Sequence, residues 1–110
     1  MIYLNEENYQ EEVKNSKIPV FVDHYADWCG PCRMLAPVYE KLEKYFKGKA
    51  KLTKLNVDDN PVIAQNNNVR GIPTIILFRG GQEIDRFTGY LPEEELKKKM
   101  EEIAARKPTA

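Results

Sequence analysis

Cysteine, histidine and tryptophan are all scarce in this chain: two, one and one among 110 residues. Two cysteines are too few for the disulfide framework of a small secreted domain. Together with a single histidine they supply at most three soft ligands, one short of a structural zinc site, so no metal is expected. No apolar run approaches the roughly 20 residues of a membrane-spanning helix. The opening "MIYLNEENYQEEV" has neither the basic start nor the apolar stretch of a secretory leader, and a cytoplasmic protein is therefore expected. Charge of one sign is not in excess either. Seventeen Lys and Arg balance seventeen Asp and Glu, which argues against nucleic acid or an anionic membrane as the main partner. Repeats, low-complexity tracts and interdomain linkers are missing as well.

What remains is an ordinary globular composition, 42% hydrophobic and 31% charged, long enough for one domain with a real core. "IYL" predicts a short opening strand. Asn5 then suits a helix N-cap, with Glu6 and Glu7 in the first turn and Tyr9 and Val13 on one face. Ile18 to Ala26, "IPVFVDHYA", is apolar on both parities apart from Asp23 and His24, the pattern of a central strand covered on both sides. Met34, Val38, Leu42, Tyr45 and Phe46 mark a helix stripe that ends near Gly48, with a kink expected at Pro37. Lys51 to Val57 alternates as a strand. Asn60 and Pro61 suit the N-cap and first position of a short helix that fades in "NNN". "TIILF" and "QEIDRFT" flank Gly80-Gly81 as a two-residue hairpin. Pro92 opens a last helix with Leu96, Met100 and Ile103 buried and its charges solvated. The order β-α-β-α-β-α-β-β-α predicts an α/β sandwich, with parallel strands followed by an antiparallel hairpin. The domain is expected to span 1–107, with 108–110 a frayed tail.

Ligand sites in such sheets lie at the carboxyl ends of strands, and "WCGPC" falls there, between strand and helix. A thiol at a helix N-terminus sees unsatisfied amide donors and the positive end of the helix dipole, and both favour the thiolate. Pro31 costs no helical hydrogen bond at this junction, and Gly30 is expected to leave the sulfur approachable. Cys29 and Cys32, three apart, fall on one face of the first turn and are close enough to pair. The chemistry expected is thiol-disulfide exchange: Cys29 attacks a target disulfide, and Cys32 then attacks Cys29 and releases the reduced target. Asp23 and His24 must point to opposite faces of their strand, so if Asp23 lies beneath the thiols the imidazole faces the core on the other side.

The segments "VDHYADWCGPCRMLAP", "KLNVDDNP", "RGIPTIILFRGG" and "TGY" resemble the thioredoxin family nearly end to end and in order. The resemblance implies a five-stranded mixed sheet between two pairs of helices. It implies a protein-disulfide reductase that acts on disulfide-containing target proteins, is recharged by thioredoxin reductase, and works as a monomer. No cofactor beyond the reversible Cys29–Cys32 disulfide is implied. Position by position, Cys29 is the exposed attacking thiol and Cys32 the buried resolving one. Asp23 matches the family's buried aspartate, which assists proton transfer at the resolving cysteine, and Lys54 the lysine near it. Pro73 matches the cis-proline facing the disulfide. Trp28, Val57, Gly71, Ile72, Thr88 and Gly89 match the substrate groove, with the Ile72 backbone pairing with an extended target. His24, Tyr25, Thr88 and Tyr90 depart from the residues common in the family, Thr88 and Tyr90 at the groove. Two rivals share the fold: a disulfide oxidase or isomerase, and a binding module without turnover. Gly30-Pro31 argues against the first, because oxidising relatives usually carry a histidine between the cysteines.

Overall fold

The computed structural model describes residues 1–106. The expected tail at 108–110, and Lys107 at the end of the expected domain, lie outside the described residues. Five strands form one mixed sheet: β1 (Ile2–Tyr3), β2 (Val20–Tyr25), β3 (Lys51–Asn56), β4 (Thr74–Arg79) and β5 (Gln82–Thr88), in the order β1-β3-β2-β4-β5. β3 runs parallel to both β1 and β2, while β4 runs antiparallel to β2 and to β5. Three α-helices, α1 (Gly30–Phe46), α2 (Pro61–Asn66) and α3 (Glu93–Ala104), join a short π-helix at Gln10–Lys14.

The apolar residues of β2 alternate between two cores. Phe21 packs with Leu35, Tyr39, Leu42 and Phe46 of α1 and with Leu96, Met100 and Ile103 of α3. Val20 and Val22 pack on the other face with Val13, Leu55 and Ile63. The expected two pairs of helices are therefore α1 with α3 and the π-helix with α2. Burying each of these large apolar side chains is worth about 1.5–3 kcal/mol.

Local chemistry explains most element ends. The Asn5 side chain accepts the amides of Glu7 and Asn8 at 2.8 and 2.9 Å, and Asn8 Oδ1 accepts the Asn5 amide, a reciprocal cap. The helix it opens winds to i→i+5, with Asn15 N donating to Gln10 O at 2.9 Å. Gly80 and Gly81 both take positive φ, +61° and +79°, as the tight hairpin between β4 and β5 requires.

Four expectations need correction. The buried stripe of α1 is Cys32, Leu35, Tyr39, Leu42 and Phe46, whereas Met34 and Tyr45 are exposed. Leu35 and Tyr39 take the places expected of Met34 and Val38, one residue along, because they face Phe21 of β2 and α3, while Leu42 and Phe46 are buried as expected. β3 does not alternate between buried and exposed: Leu52, Thr53, Lys54 and Leu55 are all buried, because helices cover both faces of the sheet. Asn60 holds the N-cap position of α2, but its side chain donates instead of accepting, to Asn56 O at 3.1 Å and Leu4 O at 3.4 Å. The charges of α3 are not merely solvated, since Lys97 lies 4.1 Å from the Tyr45 ring centre and Glu101 accepts the Tyr45 hydroxyl at 2.6 Å. Pro37 is accommodated within one continuous α1.

Candidate active site at the start of helix α1

β2 ends at Tyr25, and a turn through Ala26, Asp27 and Trp28 carries the chain to Cys29, the N-cap of α1. Cys29 is extended (φ −82°, ψ 115°), and its sulfur accepts the amide hydrogen of Cys32 at 3.2 Å. This is the capping contact expected where a helix presents unsatisfied donors, here turned onto sulfur. Cys29 and Cys32 are joined as a disulfide with Cα atoms 5.2 Å apart, so the structure is the oxidised state. Exposure does not separate the two cysteines: Cys29 is 5% accessible and Cys32 4%. The expectation of an exposed Cys29 is corrected for this state, because Val57 and Ile72 pack against the pair. Position separates them instead. Cys29 Sγ lies 3.9 Å from Ile72 O, whereas Cys32 faces a cleft of about 400 Å³ that also holds Lys54, Tyr25 and Tyr3. A Cβ at Gly30 would meet nothing within 4 Å among the described residues, so no neighbour in the chain requires glycine there.

The segment facing the disulfide is braced from behind. The Ile72–Pro73 peptide is cis, as expected for Pro73. The Gly89 amide donates to Pro73 O at 2.8 Å, and Gly89 takes a φ of +107° that favours glycine. Thr74 Oγ1 bonds both Gly71 O (2.6 Å) and Thr88 Oγ1 (2.9 Å). Thr88 and Gly71 thus help fix the segment as well as border it. Beside it, Trp28, Val57, Gly71 and Ile72 line a pocket of about 210 Å³ together with Arg70. Trp28 is 69% exposed, a rim residue and not core, and its indole donates to Asp58 Oδ2 at 2.8 Å. Tyr90 is half-buried. It packs against the core under α1 and α3.

Asp23 shares its sheet face with the buried stripe of α1 that begins at Cys32. It is wholly buried, and neither carboxylate oxygen has a hydrogen-bond partner among the described residues. Burial pushes its pKa up to about 7, partly opposed by the charge of Lys54. Lys54 is paired in register with Asp23 across β2 and β3 and is 5% exposed, so it is not a solvent-facing strand lysine. Its ammonium lies over the Tyr25 ring at 4.5 Å and within 5.9 Å of Tyr3.

The structure therefore brings together Cys29, Cys32, Gly30, Pro31, Ile72 and Pro73. It sets Asp23 and Lys54 on one sheet face and lines the groove with Trp28, Val57 and Gly71. His24 stands apart on the opposite face, packed toward Thr74 and Asn67. Sequence reasoning missed Tyr3, Asp58 and Arg70. For Tyr3 a signal existed, because parallel pairing of the first and third strands sets Tyr3 beside Lys54. Among the described residues, no three His, Cys, Asp or Glu side chains gather as a metal site, and no helix is long and apolar enough to cross a membrane.

This geometry suits two-electron exchange between a dithiol and a disulfide, and comparison with known proteins agrees. The family model described as Thioredoxin matches residues 1–102. Thioredoxin 1 of a Nostoc species is 41% identical over 98 residues, covering 89% of this chain and 92% of the relative. The thioredoxin of a Synechocystis species is 42% identical over 98 residues, with the same two coverages. That of Chlorobaculum thiosulfatiphilum is 45% identical over 97 residues, covering 88% of this chain and 90% of the relative. The chain belongs to the thioredoxin family, whose members are protein-disulfide oxidoreductases that work through their own redox-active disulfide.

Proposed function

Taking membership of the thioredoxin family as the premise, we propose a general reductase of protein disulfides in which each site residue has a distinct part. The reduced Cys29 thiolate attacks one sulfur of a target disulfide, forming a mixed disulfide and expelling the first target thiolate. Cys32, as thiolate, then attacks Cys29 Sγ. The Cys29–Cys32 bond forms, the second target thiolate leaves, and two electrons have passed to the target. The observation that carries this assignment is the Cys32 amide donating to Cys29 Sγ at 3.2 Å, since the same donor stabilises negative charge on that sulfur.

Asp23 is the proton acceptor for Cys32, with Lys54 tuning it. A carboxyl held near pH 7 by burial is matched to moving a proton at neutral pH. Trp28, Val57, Gly71, Ile72, Thr88 and Gly89 receive the target as an extended segment. Ile72 precedes β4 and lies outside the strand ladder, which supports backbone pairing with that segment. Thioredoxin reductase restores the dithiol. A dithiol centre kept reduced suits the cytoplasm, and the balanced charge suits a chain that engages proteins and neither nucleic acid nor membrane; a working monomer is part of the same reading.

Trapping tests the two cysteine roles. Cys32→Ser is expected to accumulate a mixed disulfide with substrate on non-reducing gels, and Cys29→Ser to accumulate none. Equal trapping by both variants would overturn the assignment.

A further inference from the structure

Lys54 is a nearly buried cation, and neither oxygen of its register neighbour Asp23 receives a hydrogen bond from it. A buried ammonium needs compensation from some source. Here the groups nearest in kind are two aromatic faces. The Tyr25 ring centre lies 4.5 Å from the Lys54 nitrogen and that of Tyr3 5.9 Å, both within the roughly 6 Å reach of a cation–π contact. The sheet arranges this. Tyr3 is the parallel partner of Lys54 on β1, Asp23 is its partner on β2, and Tyr25 lies two residues beyond Asp23 on the same face. All but Asp23 line the cleft that reaches Cys32. A lysine stem is flexible and its ammonium prefers water. Two rings that flank it restrict where that charge can go.

We propose that Tyr3 and Tyr25 are positioning residues whose rings hold the Lys54 ammonium in the Cys32 cleft, and that this placement sets the proton transfer accompanying the second thiol exchange. The proposal rests on the reading of Asp23 and Lys54 given above. Tyr3 supports it independently. The residue is 53% exposed and contributes little to either core, so packing alone does not account for where its ring lies. The charge of Lys54 is also the one influence that opposes burial at Asp23. If the ammonium swings into solvent, that opposition weakens and Asp23 keeps its proton to higher pH. Other ionisable groups face the same region. Asp27, Arg33 and Glu40 border the cleft, with Arg33 donating to Asp27 O at 2.9 Å, and Tyr39 of α1 feels the charge of Asp23. None of them is altered by the variants below.

The test is single-turnover reduction of insulin by the reduced full chain, followed across pH. Asp23→Asn identifies the limb of the profile that belongs to the carboxyl. Tyr25→Phe, which keeps a ring, is expected to match the parent. Tyr25→Leu is expected to move that limb upward by roughly half a pH unit, and Tyr3→Leu by less, given its greater distance. In a Lys54→Met background, Tyr25→Leu is expected to add nothing, because the rings act only through the ammonium. If Lys54→Met moves the limb and neither tyrosine variant does, the clamp is wrong while the role of Lys54 stands. If Asp23→Asn and Lys54→Met both leave the profile unchanged, the underlying reading fails and the clamp with it. A direct readout needs no variant to fold. Ring currents should displace the Lys54 ε-methylene resonances upfield in the parent, and ordinary lysine shifts there would overturn the proposal.

Discussion

Asp23 and His24 are neighbours on one strand, both wholly buried, yet their surroundings on the two faces of the sheet differ in kind. His24 is provided for. Its Nδ1 donates to Thr74 O at 3.0 Å, and its Nε2 accepts from Asn67 Nδ2 at 3.4 Å, the same amide group that donates to the Tyr9 hydroxyl. Asp23 has no hydrogen-bond partner at either oxygen. Buried polar groups are normally satisfied, so a carboxyl without a partner among the described residues sets its face apart, and on the function proposed above that is the face that does chemistry. On the same reading the satisfied imidazole belongs to the face that holds the fold.

The two residues also titrate in opposite senses. Burial raises Asp23 from 3.8 to about 7 and, chiefly by the same cause, lowers His24 from 6.5 to about 4. Between pH 4 and 7 the unfolded chain releases an Asp23 proton that the folded chain retains, so the Asp23 contribution to stability falls as pH rises. The unfolded His24 takes up a proton below about 6.5 that the folded ring refuses until about 4, so its contribution is complete above 6.5 and is lost as pH falls. Each swing is on the order of 3–4 kcal/mol. They occupy nearly the same window with opposite slopes, and the intact chain should be flat where either residue alone would tilt it.

Removing the carboxyl is expected to have the largest effect. Asp23→Asn should slow insulin reduction roughly a hundredfold at neutral pH, the lower end for loss of a proton-transfer group. The same change should stabilise the fold by on the order of 4 kcal/mol at pH 8 and by nothing near pH 4. Urea unfolding at several pH values measures the second half. A variant that is fully active, or equally stabilised at both pH values, would erase the contrast between the faces.

His24→Phe sharpens it from the other side. Activity should stay within about twofold, a margin small against the 10²-fold and larger effects of groups that take part in proton transfer. At pH 7.5 the loss of both ring hydrogen bonds should lower stability by roughly 1–2 kcal/mol, even with an apolar ring in place. Near pH 4 the variant should be the more stable of the two, because nothing there resists protonation. Denaturation curves that never cross would sink the assignment of acid sensitivity to this ring.

Much of this contrast was legible before any coordinates. Strand alternation alone sent Asp23 and His24 to opposite faces, and the motif with its strand-helix setting located Cys29 and Cys32. The resemblance supplied Pro73 and the groove. What was hidden depends on contacts that periodicity does not carry. Met34 and Leu35 are equally good stripe residues by composition, and it is Leu35 that packs with Phe21 of β2 and with α3. The alternation of β3 alone does not tell solvent from interior at Lys54, which β1 and β2 enclose by closing around β3 and supplying two rings. The bond of Thr88 to Thr74 across the β4–β5 pairing was invisible in one dimension. Asn67 lay in a run of three asparagines with nothing to single it out, yet it is the one that reaches His24.

The smallest effect is expected at Tyr39, and it asks whether the polar atoms on the active face serve the carboxyl or the backbone. Tyr39 is fully buried under α1, with its hydroxyl 2.8 Å from Thr53 O and 3.1 Å from Phe21 O. Burial, and next the nearby charge of Asp23, raise its pKa well above 10, so the group stays a neutral donor throughout the working range. It can give only one proton, and the shorter contact makes Thr53 O the better acceptor. Phe21 O has a second partner in Thr53 Oγ1 at 2.8 Å. Tyr39→Phe therefore removes one good hydrogen bond, leaves one carbonyl partly provided for, and keeps the ring in the core. A loss of about 1 kcal/mol follows. Because the donor faces carbonyls, that loss should be the same at pH 4 and pH 8, and the pH profile of insulin reduction should not move. A loss that grows as Asp23 ionises would mean that the hydroxyl supports the carboxylate after all, and the two faces would then differ less than their contacts indicate.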